Sequence, residues 1–207
     1  MNKEIAKELL FWAEQKNPGE WVEHSYNVAK SAEIIAKNCS LDFNLAYIYG
    51  LLHDIGRYEG ITKLRHVYSG YKLMNEKGFN NIAKICLTHS FPLKIIESYA
   101  GINDCTTEET NYLKKELENN EYDDYDKLIQ LCDALGSAKG IVLMEMRFVD
   151  VVKRNGFNKY TIEKWEAFDG LKKYFELKCE KKIYELFKDE IMENIIGKEA
   201  KPAHNKR

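Results

Sequence analysis

The sequence predicts an all-α fold, a single-domain helical bundle, and three observations lead to it. Apolar residues recur at intervals of three and four along most of the chain, as on the buried face of an amphipathic helix. No segment alternates apolar and polar residues for long enough to predict a strand. With 207 residues, the chain has the length of one medium-sized domain. We therefore expect one helical domain over residues 1–196 and a disordered polar tail over 197–207.

The apolar periodicity predicts five helices before residue 91. Asn17-Pro18-Gly19 ends the first helix, and Gly78 ends the fourth. Ser40 or Asp42 caps the third helix, and Gly56 follows it as a stop. In chain order, the first, second and fifth helices cover residues 3–16, 20–38 and 80–90, and the third and fourth carry residues 45–54 and 66–74.

Two more helices are predicted in the middle of the chain. Thr106 and Glu109 have the spacing of a capping box, which opens a helix that reaches about Asn119. The acidic segment 121–126 is expected to be a solvated turn that ends in a cap. The mostly apolar helix that follows this turn carries Asp133.

The rest of the chain is predicted to be helical as well. Residues 140–154 form one helix, which Asn155-Gly156 closes. A long Glu/Lys-rich helical pattern covers about 161–196, and Gly170 is expected to kink or divide it. We expect the segment 140–196 to be a helical extension of the same domain, which either packs on the core or forms a homodimer contact.

Composition and charge exclude several classes of protein. The formal net charge of −2 gives no sign of a nucleic-acid-binding surface. No apolar run approaches the roughly 20 residues that span a bilayer, and the N-terminus shows no signal peptide. The five cysteines are scattered and include no C-x-x-C pair, which favours reduced thiols. We therefore expect a cytoplasmic protein that binds neither membranes nor nucleic acids.

Four of the five histidines and two aspartates fall on or beside apolar helical segments. His24 precedes Val28 by four residues and His89 follows Ile85 by four, so both histidines project from buried faces. A single buried histidine is more often a hydrogen-bonded core residue than a ligand. Burying four imidazoles and two carboxylates together, however, requires a shared compensating charge, which a metal ion provides. The candidate ligands are His24, His53, Asp54, His66, His89 and Asp133, whereas the fifth histidine, His204, lies in the predicted tail and is set aside.

These residues resemble the motif of a known family. The order His24, His53-Asp54, Asp133 resembles the HD-domain superfamily of metal-dependent phosphohydrolases, named for its adjacent histidine and aspartate. The string His53-Asp54-Ile55-Gly56 matches the commonest form of that motif, and His66-x-x-x-Gly70 and His89 look like the extra histidines of dinuclear members. The resemblance covers about residues 20–138 and implies a bundle of helices around a metal site.

The resemblance also implies which residues hold the metal. His24, His53, Asp54 and Asp133 would bind one divalent transition metal ion, and His66 and His89 would complete a second site with Asp54 as the bridge. Imidazole and carboxylate together favour Fe or Mn, with Zn, Co or Ni as alternatives, over Mg or Ca. The absence of cysteine ligands argues against a structural zinc site.

Three departures from the family pattern bear on the reaction. Arg57 stands where lysine is common, and its fork can hold a phosphate by two bonds. Ser90 follows His89 where some dinuclear branches have a second histidine, and the interval from Asp54 to His66 is shorter than in several of them. The GYP motif is missing, so cleavage of cyclic di-GMP is not indicated.

The leading hypothesis is hydrolysis of a phosphomonoester or phosphoanhydride in a small molecule, with a nucleotide as the expected substrate. A metal-activated hydroxide would be the nucleophile, with Asp54 and Arg57 as the catalytic residues. Lys63 and Arg65 are expected to be ordinary cations of a solvated loop. Residues 91–127 and 140–165 are expected to shape the pocket entrance.

Two alternative functions are also compatible with the sequence. A dinuclear iron site with the same six ligands also supports oxygenase chemistry, as the resemblance to the inositol-oxygenase branch implies. A regulatory domain that binds a nucleotide without catalysis is the third hypothesis. The presence of all six candidate ligands counts against it.

Overall fold

The structure, a computed structural model, describes residues 1–196 and confirms the all-α fold. The predicted tail 197–207, with His204, lies outside the described residues. Within residues 1–196, no helix is long and apolar enough to cross a membrane. Eleven α-helices make up most of this part of the chain: α1 Lys3–Lys16, α2 Trp21–Asn38, α3 Phe43–Leu52, α4 Arg65–Glu76, α5 Asn80–Thr88, α6 Thr107–Asn119, α7 Asp124–Leu135, α8 Met144–Asn155, α9 Thr161–Cys179, α10 Ile183–Leu186 and α11 Lys188–Ile196.

The centre of the bundle is the pair α2 and α3. Helix α3 is almost entirely apolar, and its residues Ala46, Ile48, Leu51 and Leu52 are buried, as expected of a helix surrounded by others. The two helices approach closely at Gly50, where an added Cβ would lie 2.7 Å from Cα of Ala29. Helices α1 and α7 pack on the same pair, and α4 packs on α5.

A short β-hairpin replaces the start of the helix predicted over residues 140–154. Strands β1 (Gly136–Ser137) and β2 (Gly140–Ile141) pair antiparallel, and helix α8 begins only at Met144. Gly140 has a φ of +129°, which an α-helix cannot contain, so the chain turns back there.

The long helix predicted over 161–196 is also interrupted, but not at Gly170. Helix α9 runs through Gly170, where nothing lies within 4 Å of an added Cβ, and ends at Cys179. Glu180 then adopts the left-handed conformation with φ of 53°, and the N–H of Lys181 bonds the carbonyl of Glu176. This conformation is a helix C-cap. It ends α9 at Cys179 even though the helical pattern of apolar residues continues in the sequence.

The acidic segment 121–126 contains a cap, as predicted, but it is not fully solvated. Asp123 caps helix α7 in a capping box with Asp126. The side chain of Asp126 is completely buried, where it forms an ion pair with Lys84 at 2.6 Å and accepts a hydrogen bond from Thr88 at 2.7 Å. The ion pair between Lys84 and Asp126 could not be predicted from the sequence, because its partners lie about 40 residues apart. The capping box of Thr106 and Glu109 is confirmed.

Candidate metal centre

The turn after α3 places His53 and Asp54 side by side in the core. Helix α3 ends at Leu52, and residues Ile55–Glu59 form a 3₁₀ turn. Gly56 was predicted to stop the helix, but its role is different. An added Cβ at Gly56 would lie 1.9 Å from the carbonyl oxygen of His66, so only glycine lets this turn rest against α4.

Five helices bring the six predicted ligands together. Each helix contributes an inward-facing residue, and His53, His66, His89 and Asp54 are almost fully buried, with His24 only slightly less so. The side chain of Asp133 is 24% exposed. The residues come from α2 (His24), the end of α3 (His53 and Asp54), α4 (His66), the end of α5 (His89) and α7 (Asp133).

The donor atoms form two adjoining groups. On one side, Nε2 of His24 lies 3.0 Å from Oδ1 of Asp133 and 3.2 Å from Nε2 of His53. On the other side, Oδ1 of Asp54 lies 3.0 Å from Nε2 of His66 and 3.5 Å from Nε2 of His89. His53 is close to both groups, because its Nε2 is 3.9 Å from carboxylate oxygens of Asp54 and Asp133.

Backbone carbonyls determine the tautomer of three of these histidines. Nδ1 of His53 donates to the carbonyl oxygen of Gly50 at 2.6 Å, and Nδ1 of His89 donates to that of Cys86 at 2.8 Å. Nδ1 of His66 donates in the same way to Lys63. Because a carbonyl oxygen only accepts, Nδ1 carries the hydrogen and Nε2 of each neutral ring presents a lone pair to the centre.

This arrangement fits a metal ion. The Nε2 atoms of His66 and His89 are 3.3 Å apart and both present lone pairs, so they cannot hydrogen-bond to each other. Oδ1 of Asp54 is buried between them and has no hydrogen-bond donor. Lone pairs and a carboxylate that converge without a proton between them are the donor set of a divalent transition metal.

The ionisation states of these side chains also suit a metal ion. Burial lowers the pKa of His53 to about 4, and burial together with Arg57 lowers the pKa of His66. Burial acts to raise the pKa of Asp54, but Arg57 and the neighbouring histidines hold it well below its usual range. At neutral pH His53 and His66 are therefore neutral imidazoles and Asp54 is an ionised carboxylate, the forms that bind metals.

Arg57 lies beside the centre and uses only one of its guanidinium nitrogens to bind it. Its Nε donates to Oδ2 of Asp54 at 2.5 Å. Among residues 1–196, the terminal nitrogens of its guanidinium have no acceptor, although the side chain lines the cleft above the centre. Lys63 is exposed, as expected for a loop cation, whereas Arg65 is the first residue of α4 and pairs with Glu59 and Glu109.

A cleft of about 690 Å³ opens onto the centre. Its wall includes residues 98–101 and parts of 137–168, so the predicted entrance segment 140–165 contributes at many positions and the segment 91–127 only through 98–101. The sequence analysis missed Lys164, Arg147 and Tyr99 in this wall. Lys164 precedes the buried Phe168 by one helical turn, the spacing that singled out His24, so the same rule would have found it.

The fold and the site together define a class of protein, an α-helical bundle in which four histidines and two aspartates from five helices meet beside one cleft. The family model for the HD domain matches residues 21–138, which include all six predicted ligands. The chain belongs to the HD domain family, whose members are generally metal-dependent hydrolases that bind divalent metals. Comparison with curated proteins and with solved structures gave no match.

Proposed function

We propose that the protein is a metal-dependent phosphohydrolase that cleaves a phosphomonoester or phosphoanhydride, with a nucleotide as the expected substrate. The observation that carries this proposal is the convergence of unprotonated Nε2 atoms on Oδ1 of Asp54, next to a guanidinium with unoccupied terminal nitrogens. The histidines and aspartates hold the metal and Arg57 offers a fork to phosphoryl oxygens. Asp54 connects the metal ligands with the phosphate-binding arginine, because one of its oxygens faces the histidines and the other binds Arg57.

A divalent metal in this centre would polarise the phosphoryl oxygens and lower the pKa of water from about 15.7 to about 7. The chain's own contribution is to keep His53 and His66 neutral by burial and to orient both rings through their Nδ1 bonds to backbone carbonyls. Arg57 neutralises charge on the phosphoryl group, and the ion pair with Asp54 holds its guanidinium at the cleft.

The test combines metal analysis with turnover. Protein purified without chelators is expected to contain one or two divalent ions and to release phosphate from members of a nucleotide panel. Asp54→Asn should lose metal and reduce turnover by more than about 100-fold, because the amide removes the anionic ligand. Asp169→Asn, an exposed carboxylate on α9, is the matched control and should change neither.

Three outcomes would contradict the proposal. The first is an Asp54→Asn variant with full metal content and normal turnover. The second is wild-type protein that binds no metal, which would favour the non-catalytic regulatory domain. The third is oxygen consumption by iron-loaded protein without phosphate release, which would favour the oxygenase.

A further inference from the structure

The cleft wall is rich in cations, and all of them except Arg57 lie outside the HD domain match. Helices α8 and α9 follow the matched residues 21–138 and contribute several side chains to the cleft. Apart from the predicted metal ligands, five basic side chains line the cleft and only two carboxylates, Glu20 and Asp150, do so. The basic residues are Arg57, Lys139, Arg147, Arg154 and Lys164.

Lys164 is a cation without a carboxylate partner. Its Nζ donates to the carbonyl oxygens of Ser90 at 2.8 Å and Ser98 at 3.4 Å, which leaves one of its three hydrogens unassigned. Among residues 1–196 it forms no ion pair with a carboxylate. Burial lowers the pKa of Lys164 to about 8, so the ammonium form still predominates at pH 7. Lys164 is half-buried and lines the cleft, so its ammonium can reach an anion that binds there.

Arg147 also has unused binding capacity in the same cleft. Its Nε is buried and has no hydrogen-bond acceptor, whereas Nη1 donates to Asp150 at 3.1 Å. Asp150 is shared, because Arg154 binds it with two nitrogens at 2.9 and 3.1 Å. One carboxylate therefore serves two guanidiniums, and a positive charge is left over in the wall.

One phosphoryl group does not need all of these cations. The reacting group has the metal and Arg57, which lies against Asp54. Lys164 and Arg147 belong to other helices, and a cleft of about 690 Å³ has room for a ligand much larger than one phosphate. Lys164 has no carboxylate partner and Arg147 shares Asp150 with Arg154, so the two side chains have capacity for a second anionic group of the same ligand.

We propose that Lys164 and Arg147 form an anion subsite for a second phosphoryl group, so that the substrate is a small molecule with two phosphoryl groups. The inference rests on the proposed phosphohydrolase function and narrows its substrate class. Lys164 supplies one N–H, and Arg147 supplies the charge of a guanidinium whose single carboxylate partner, Asp150, is shared with Arg154. A monophosphate leaves these donors without an acceptor.

The test compares a nucleoside diphosphate with the matching nucleoside monophosphate. In the holoenzyme, Lys164→Met and Arg147→Met should each raise the KM for the diphosphate roughly 10- to 100-fold, the worth of a lost hydrogen bond to a charged group. The KM for the monophosphate should change by less than about threefold and kcat should stay within that range, since neither side chain touches the reacting group. Lys164→Arg should restore most of the affinity. Lys173→Met, an exposed lysine on the same helix, is the control.

A binding measurement separates this inference from the proposed function. Calorimetry with methylenediphosphonate, which is not hydrolysed, should show affinity that falls in Lys164→Met and Arg147→Met, with inorganic phosphate as the single-group reference. If wild-type protein hydrolyses no phosphate ester but retains this dependence, the subsite stands and the phosphohydrolase proposal is wrong. Equal loss for mono- and diphosphate, or unchanged methylenediphosphonate affinity in two folded variants, would overturn the subsite alone.

Discussion

Gly56 lies where the turn after α3 passes closest to α4. An added Cβ there would lie 1.9 Å from the carbonyl oxygen of His66 and 2.4 Å from the amide nitrogen of Gly70. Both atoms belong to the backbone, so no side-chain rotation can relieve the contact. Gly56, the second residue after Asp54, therefore lets the turn and α4 approach closely enough to place Oδ1 of Asp54 3.0 Å from Nε2 of His66.

Gly56→Ala is expected to lower the free energy of unfolding by about 2–4 kcal/mol, because α4 must move away from the turn. The same shift should reduce metal content, since His66 moves with α4. Gly170→Ala, in the open middle of α9, is the matched control and should raise stability by about 0.5–1 kcal/mol. Urea denaturation and metal analysis of the two variants test this prediction. Equal changes in stability for Gly56→Ala and Gly170→Ala would show that the close approach at Gly56 is not the cause.

Lys164 predicts a pH dependence for the turnover of a diphosphate. Burial lowers its pKa to about 8, while Asp133 acts in the opposite direction. Above about pH 8 the neutral amine no longer attracts an anion, so kcat/KM for a diphosphate should fall there. Lys164→Arg should remove this decline, because guanidinium stays charged. Identical pH profiles for the two proteins would contradict the assignment.

At the scale of the elements, buried polar contacts hold the ends of the site helices in place. The hydroxyl of Thr88 donates to Oδ1 of Asp126 on α7 at 2.7 Å, and Gln130 donates to the carbonyl oxygen of Thr88 at 2.9 Å. Both contacts tie the last residue of α5 to α7, immediately before His89. The position of His89 therefore depends on α7, the helix that also carries Asp133.

Thr88→Val keeps the shape of the side chain and removes only the hydroxyl. We expect a loss of about 1–3 kcal/mol in the free energy of unfolding, because a buried carboxylate oxygen of Asp126 loses its donor. Thr110→Val, on the less buried helix α6, should change stability by less than about 0.5 kcal/mol. Comparable losses in thermal melts of the two variants would contradict this role for Thr88.

At the scale of the whole molecule, the metal centre joins five helices that the chain supplies from positions 24 to 133. Without a metal, lone pairs and a donor-free carboxylate oxygen face one another in the core. Metal binding should therefore stabilise the native state, since an unfolded chain does not preserve this arrangement.

Removing the metal with a chelator, and then the chelator by dialysis, should lower Tm by roughly 5–10 °C. This estimate takes about 2.7 kcal/mol for a metal at 100 times its Kd and about 2–4 °C per kcal/mol for a chain of this size. Adding back Mn²⁺ or Fe²⁺ should restore Tm. Asp54→Asn should respond to neither treatment, and an unchanged Tm in wild-type protein shown to be metal-free would argue against the coupling.

The sequence by itself determined the helical class, most helix positions and the six candidate ligands. Apolar periodicity, caps and residue chemistry are local properties, so they can be read along the chain. The errors fell where local patterns compete with contacts: the hairpin at Gly140, the uninterrupted α9 at Gly170, and the buried Asp126.

Only the tertiary structure decided which atoms face one another. Which carbonyl accepts from each Nδ1, the close approach at Gly56, and the meeting of Lys164 and Arg147 with the metal centre all join segments that folding brings together. The spacing from Lys164 to Phe168 indicates that Lys164 lies on the inner side of α9, but it does not show what lies opposite that side. The burial of Lys164 depends on how α9 packs over the cleft, and that packing is what makes it an anion-binding candidate.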